Sequence, residues 1–260
     1  MSKPAYLDIQ KQADERARDL LARLTTAEKI GLLPTRMEGI PRLDVLPYSV
    51  GGEGAHGLLV RRMGEQTPSG TATVFPQPIG LACTWDTDLL RRVGDVIGSE
   101  AFGCYQSDGR TRWQTLWFPT IDIERDPRWG RTEEAYGEDP FLAGKLAASL
   151  IGGAQKPIGE KLRIVCAPKH FYGNNVEENR VAANTVLTER VKREVYLRVF
   201  QRAVQEGGAL SLMTAYNEVN GVPCIVNPEL NGIVRDEWGF QGFVVCDGGD
   251  FSQTVTHHKY

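Results

Sequence analysis

The sequence is short of cysteine, has no long apolar run and carries no excess of either charge. Each shortage removes a class of protein. The five cysteines, at 83, 104, 166, 224 and 246, are dispersed, odd in number and without a C-x-x-C pair, which argues against a disulfide framework or a zinc ribbon. No stretch approaches the roughly 18 apolar residues of a membrane span. The opening Met1-Ser2-Lys3-Pro4 is polar and lacks the apolar core of a secretion signal, so a reduced, cytoplasmic protein is expected. Thirty basic and 33 acidic residues leave a formal net charge of −3 without a run of one sign. Neither a nucleic-acid nor a membrane partner is therefore expected. No short repeat or low-complexity linker divides the chain. His257-His258 has no accompanying ligands at a metal-site spacing, and the glycines of Gly51-Gly52-x-Gly54 and Gly152-Gly153 precede no Lys-Ser/Thr pair. No metal and no nucleotide phosphate is expected.

What is present is alternation. Helical spacing runs from about Asp8 to Leu24, and Thr25-x-x-Glu28 forms a capping box. Asp86 caps a helix through about Ala101, Asp139-Pro140 opens another, Thr188 caps a third that Gly207-Gly208 stops, and Asn227-Pro228 starts a short one. Between them lie short apolar runs: Val45–Val50, Ile79–Cys83, Leu116–Ile123, Leu162–Ala167, Leu210–Ala215 and Phe243–Cys246. Such runs suit strands covered on both faces, and alternation with helices argues for a parallel sheet. The length accommodates a closed α/β barrel of about 250 residues. About six strands are visible where a barrel needs about eight. Either strands hide in 60–80 or 220–226, or the barrel is cut short.

Polarity falls at the strand ends. Glu53 follows Tyr48-Ser49-Val50 and a Gly-Gly pair, Lys169 and His170 follow Val165–Pro168, Tyr216-Asn217 follows Leu212–Ala215, and Asp247 follows Phe243–Cys246. One such case is an ordinary loop; four suggest a shared site at the C-terminal ends of the strands.

Four segments resemble glycoside hydrolase family 3. They are Asp122-Ile123-Glu124-Arg125-Asp126-Pro127-Arg128-Trp129-Gly130-Arg131 with its continuation to Pro140; Lys169-His170-Phe171 with Asn174-Asn175 and Arg180; Met213-Thr214-Ala215-Tyr216-Asn217; and Gly242–Asp247. Their order and spacing match across nearly the whole chain. The resemblance implies an α/β fold of the (β/α)8 TIM-barrel type over residues 1–260, incomplete at its C-terminus, with the family's following α/β sandwich domain outside these residues. It implies release of single β-linked sugars from non-reducing ends with retained configuration and no cofactor. The partner is then a β-linked oligosaccharide or glycoside, with β-glucosidase as the first reading and β-xylosidase as the alternative.

By resemblance, Asp247 matches the catalytic nucleophile. Lys169, His170 and Arg131 match positions that hydrogen-bond sugar hydroxyls. Arg180 and Tyr216 match positions that support the nucleophile and line the pocket, and Glu53 sits where the family places an acidic residue. The bland alternatives are a surface pair of Arg131 with Glu133 or Glu134, and a satisfied core histidine at His170. The loop Lys169-His170-Phe171-Tyr172-Gly173-Asn174-Asn175 lacks the proton-donating His of the family's N-acetylglucosaminidase branch. In the glucosidase and xylosidase branch the acid/base comes from the following domain. Gly248 stands where many relatives have Trp, and Val50-Gly51-Gly52 stands where xylosidase-like members often have Trp residues. A sugar-binding or incomplete fragment without turnover is the reading from another class. The open edges of an incomplete barrel would favour self-association.

Overall fold

Side-chain caps set four of the helix starts among the described residues. The computed structural model describes residues 4–60, 70–159 and 161–260. Met1-Ser2-Lys3, and any strand within 61–69, lie outside the described residues. The chain divides into two units, Met1–Val50 and Gly51–Tyr260. In the first, α1 (Ala13–Arg23) begins later than Asp8. The Asp8 carboxylate accepts from the Gln10 N–H at 3.1 Å, a local turn that competes with helix. α2 (Thr26–Gly31) opens on the expected capping box, Thr25 Oγ1 accepting from Glu28 N while the Glu28 carboxylate accepts from Thr25 N. Such a cap contributes about 0.5–2 kcal/mol. β1 (Arg36–Met37) and β2 (Tyr48–Ser49) pair antiparallel, so the strand expected over Val45–Val50 shrinks to two residues. Tyr6, Ile40 and Leu43 make the small core of this unit.

In the second unit the strand expected at Ile79–Cys83 is instead a helix, α3 (Pro78–Ala82). A short apolar run fits either state, and Pro78 at the first helical position favours the helix. α4 (Thr87–Ser107) is capped by Asp86, which accepts from Leu89 N at 2.9 Å. After β3 (Thr115–Leu116), α5 (Pro140–Ala154) starts where Asp139 accepts from Phe141 N at 2.8 Å. α4 and α5 touch backbone to backbone: a Cβ on Gly94 would lie 2.1 Å from the Leu150 carbonyl oxygen, and one on Gly98 2.2 Å from that of Ala154. β4 (Val165–Cys166) and β5 (Asn184–Thr185) come next. α6 (Glu189–Val191) then widens into a π-helical turn, Lys192–Tyr196, before α7 (Leu197–Gln205). Lys192 is buried there and its ammonium meets Glu189 and Glu229. β6 (Ser211–Thr214), the hairpin β7 (Glu218–Val219) and β8 (Val222–Pro223), a π-helix at Leu230–Glu237, β9 (Phe243–Cys246) and α8 (Asp250–Thr256) complete the order.

β3 pairs parallel with β4, and β6 with β9. Parallel bridges at Thr120–Lys169 and Phe171–Thr214 continue the first pairing and join β4's extension to β6. β3, β4, β6 and β9 therefore lie side by side in chain order, with a helical crossover between each pair. Trp117 N donates to Gly52 O at 2.8 Å, which sets the segment after Gly51 beside β3. Among the described residues this row is open, and β9 pairs on one side only. The stretch 220–226 holds part of the β7–β8 hairpin rather than a strand of the row. Leu116, Phe118, Ile121 and Leu212 are fully buried, together with Leu90, Ile97, Leu146, Leu150 and Phe200 from the helices. Each such side chain contributes about 1.5–3 kcal/mol when removed from water. No helix among the described residues is long and apolar enough to cross a membrane.

Candidate active site

Parallel strands end on one side of their sheet, so residues that follow them in sequence converge in space. Lys169 sits just past β4, where its N–H donates to Pro119 O at 3.0 Å and its carbonyl accepts from Ile121 N at 2.7 Å. Those bonds bring Asp122 level with His170. The Asp122 carboxylate then accepts twice through one oxygen, from His170 N and from His170 Nδ1, each at 2.9 Å. That bond fixes the imidazole, leaving Nε2 directed at Arg131 Nη1 (3.3 Å) and at Asp247 Oδ2 (3.6 Å). In the neutral ring Nε2 accepts from Arg131; in the protonated ring its N–H faces Asp247. Lys169 Nζ donates to both oxygens of Glu53, at 3.0 and 3.3 Å.

Arg131 stands at the head of a 3-10 turn, Thr132–Glu134. Its guanidinium grips Glu134 with two parallel bonds of 2.7 Å and approaches Glu177 at 3.7 Å. Glu177 accepts from Arg180 at 2.8 Å, and the Arg180 guanidinium lies over the Tyr216 ring, 4.6 Å from its centre. Tyr216 Oη donates to the carbonyl of Gly248 at 2.6 Å, next to Asp247. Charges alternate along this chain of contacts, as required of ions removed from bulk water. Burial opposes ionisation of Glu134, yet the Arg131 fork outweighs it and holds the carboxyl below its ordinary range. Burial, and after it the negative charge of Asp247, push the Tyr216 phenol upward, so it serves as a hydrogen-bond donor. The Asp247 side chain keeps 18% of its surface exposed, and its Oδ1 accepts from Gly248 N at 2.6 Å.

All seven residues singled out in the sequence thus fall into this network. Glu53 and Lys169 form one pair; His170, Arg131 and Asp247 form a cluster; Arg180 and Tyr216 flank it. Arg131 does pair with Glu134, but half-buried rather than on the surface. His170 is buried and satisfied by Asp122, and still presents Nε2 to Asp247. Sequence reasoning gave no role to Asp122 and Glu177 and named Glu134 only as a surface partner of Arg131, although all three lie in the quoted or adjoining motif segments. Asp122 meets His170 across 48 residues, whereas Glu134 and Glu177 each pair with an arginine three residues away, a spacing common on any surface; only the fold buries those pairs. A cavity of about 470 Å³ opens beside Glu53, Lys169, Arg131 and Glu134, with Leu58 and Val74 on its apolar side. Its polar wall carries donors (Lys169, Arg131) and acceptors (Glu53, Glu134) together, a set that suits an uncharged ligand rich in hydroxyl groups. Among the described residues no group of three His, Cys, Asp or Glu side chains is placed to hold a metal ion.

Comparison with known proteins identifies the family. The family profile described as "Glycosyl hydrolase family 3 N terminal domain" matches residues 59–260. The chain is 37% identical over 248 residues to the probable beta-D-xylosidase 7 of Arabidopsis thaliana, covering 90% of this chain and 32% of that protein. It is 36% identical over 256 residues to beta-glucosidase B of Emericella nidulans, covering 96% and 28%. Among solved structures, an exo-beta-xylosidase of the family in complex with a xylobiose aziridine activity-based probe superposes with a TM-score of 0.88 at 29% identity, covering all of this chain and 35% of that one. Beta-glucosidase 3B from Thermotoga neapolitana, in complex with alpha-D-glucose, gives 0.75 at 33% identity, covering 89% and 33%. The chain spans about a third of the length of these relatives. The profile spans more than half of the sequence, and the chain belongs to glycosyl hydrolase family 3.

Proposed function

We propose that this chain carries the nucleophile and the sugar grip of a retaining exo-β-glycosidase acting on terminal β-linked xylosyl residues. The observation that carries the reading is the convergence of Lys169, His170 and Asp247 past the ends of neighbouring parallel strands, with Glu53 paired to Lys169 and Arg131 beside His170. Catalysis in (β/α)8 barrels sits at that end, and the open row of strands is read as one part of such a barrel. Asp247 attacks the anomeric carbon; the bond to the aglycone oxygen breaks, and a covalent glycosyl ester remains for water to hydrolyse. Lys169, Arg131 and His170 donate to ring hydroxyls, while Glu53 accepts from them. Bonds of this kind strengthen as charge develops on the sugar in the transition state. The second carboxyl group that retention requires is not assigned to any residue of this chain.

Xylose is favoured over the glucose first expected. The structural likeness is greater to an exo-beta-xylosidase than to beta-glucosidase 3B, and a probable xylosidase stands among the relatives of highest identity. β-Glucoside remains the second reading, supported by the likeness to beta-glucosidase B. The test is mass spectrometry of the chain after incubation with 2,4-dinitrophenyl 2-deoxy-2-fluoro-β-xyloside, whose leaving group needs no acid. A pentosyl adduct on the Asp247 peptide is expected. An adduct on another residue refutes the nucleophile, reaction only with the gluco analogue reverses the sugar preference, and no adduct with either leaves a binding fragment.

A further inference from the structure

The segment that follows Asp247 is held by polar ties rather than by packing. α8 buries one residue, Asp250, and leaves Phe251 and Val255 exposed. An element with so little apolar burial depends on its hydrogen bonds to keep one position. At its front, Asp250 N donates to Asp247 O at 3.0 Å, and Tyr216 Oη holds the carbonyl of Gly248. At its rear, His258 folds back onto the same stretch of chain. Its Nε2 lies 3.0 Å from the carbonyl oxygen of Tyr216, and its Nδ1 lies 3.0 Å from Glu218 Oε1. A carbonyl only accepts, so Nε2 carries a proton; Nδ1 faces a carboxylate. The imidazole side chain is 2% exposed, so water does not replace either bond freely. Both ends of residues 247–258 are thereby fastened to Tyr216 and its neighbours.

We infer that His258, eleven residues past Asp247, is a positioning residue for the nucleophile: by clamping Tyr216 O and Glu218 it fixes α8 and, through it, the Asp247–Gly248 peptide against Tyr216 and His170. This rests on the proposed glycosidase reading. His258 touches no part of the cavity wall, so its loss should slow bond formation without weakening sugar binding. A displacement of about 1 Å at a reacting group costs up to about 100-fold in rate.

The test compares the 260-residue chain with His258→Leu, which removes both donors at similar volume, and with Glu218→Gln, which weakens the clamp from its other side. Two measurements are made: inactivation kinetics with the 2-fluoro xyloside, and hydrogen exchange followed by mass spectrometry. For His258→Leu the inactivation rate constant should fall roughly 10-fold or more with the half-saturating concentration unchanged, and Glu218→Gln should show a smaller loss of the same kind. Exchange should rise in peptides covering 247–256 and stay as in the parent over 211–214. Unchanged exchange in 247–256 in both variants overturns the clamp. Faster exchange with an unchanged rate constant overturns the positioning role. A loss confined to half-saturation assigns His258 to binding and also overturns it. A parent chain that forms no adduct with either the 2-fluoro xyloside or its gluco analogue removes the glycosidase reading, and the positioning role falls with it, while the exchange data still judge the clamp on its own.

Discussion

Asp250 is a carboxyl group in an expensive place. It is fully buried, its Oδ1 has no partner, and its Oδ2 reaches Thr214 Oγ1 only at 3.5 Å. Its pKa is raised to about 7, chiefly by burial; His258 opposes the shift and Asp247 adds to it. An unfolded aspartate titrates near 3.9. Between pH 4 and pH 7 the folded chain therefore keeps a proton that the unfolded chain has released, and stability falls as pH rises through that window. Above pH 7 the buried group must ionise and its full cost is present. Asp250→Asn removes the ionisation and nearly keeps the shape. Its free energy of unfolding, from denaturant titrations, should match or trail the parent's at pH 4 and exceed it at pH 8, by an amount on the order of 2–4 kcal/mol. A difference independent of pH would show that ionisation of Asp250 is not the cause. Nothing in Cys246-Asp247-Gly248-Gly249-Asp250 announces this burial, because an Asp after two glycines reads as a turn residue. Asp122 was similarly opaque: it was legible as part of a motif, but its two bonds to His170 span 48 residues.

Elements whose cause is local were legible, and those whose cause is tertiary were not. The caps at Thr25, Asp86, Asp139 and Thr188 all accept a backbone bond at the helix starts they mark. β6 and β9 lie within or on their apolar runs, whereas the run at Ile79–Cys83 became helix and the long run at Leu116–Ile123 pairs as a ladder only at its start. No periodicity distinguishes extended chain that finds a full partner from extended chain that finds one bridge. The α4–α5 contact sharpens the point, since α4 holds glycines of opposite kind. Gly94 and Gly98 face carbonyl oxygens across the contact, whereas Gly103 has nothing within 4 Å of a built Cβ. Gly94→Ala should destabilise by about 1–3 kcal/mol through overpacking. Gly103→Ala should stabilise by about 0.5–1 kcal/mol through helix propensity. Denaturant midpoints measure both, and the same sign for the two substitutions would contradict the close approach.

For the whole chain, the parallel α/β order was readable and the extent of pairing was not. Alternation of runs and caps predicts a parallel row, and the residues flanking Lys169 and Asp247 place the site at one end of it. What remains open is an edge. β9 has one paired neighbour among the described residues, and α8 presents Phe251 and Val255, one turn apart, at 63% and 66% exposure. Unpaired strand edges and apolar stripes recruit other chains. Sedimentation velocity of the 260-residue chain should therefore show association that rises with concentration, and the double substitution Phe251→Lys, Val255→Lys should shift it toward monomer. A monomer at every concentration would sink this expectation. The row has one further consequence, in time rather than in space. Because the four strands of the row lie side by side in chain order, a ribosome adding about 5–20 residues per second delivers the candidate site in a fixed order: Glu53, then Asp122 and Arg131, then Lys169 and His170, then Tyr216, and Asp247 after them all. A nascent chain paused before Phe243 carries every residue of the proposed grip and not yet the proposed nucleophile.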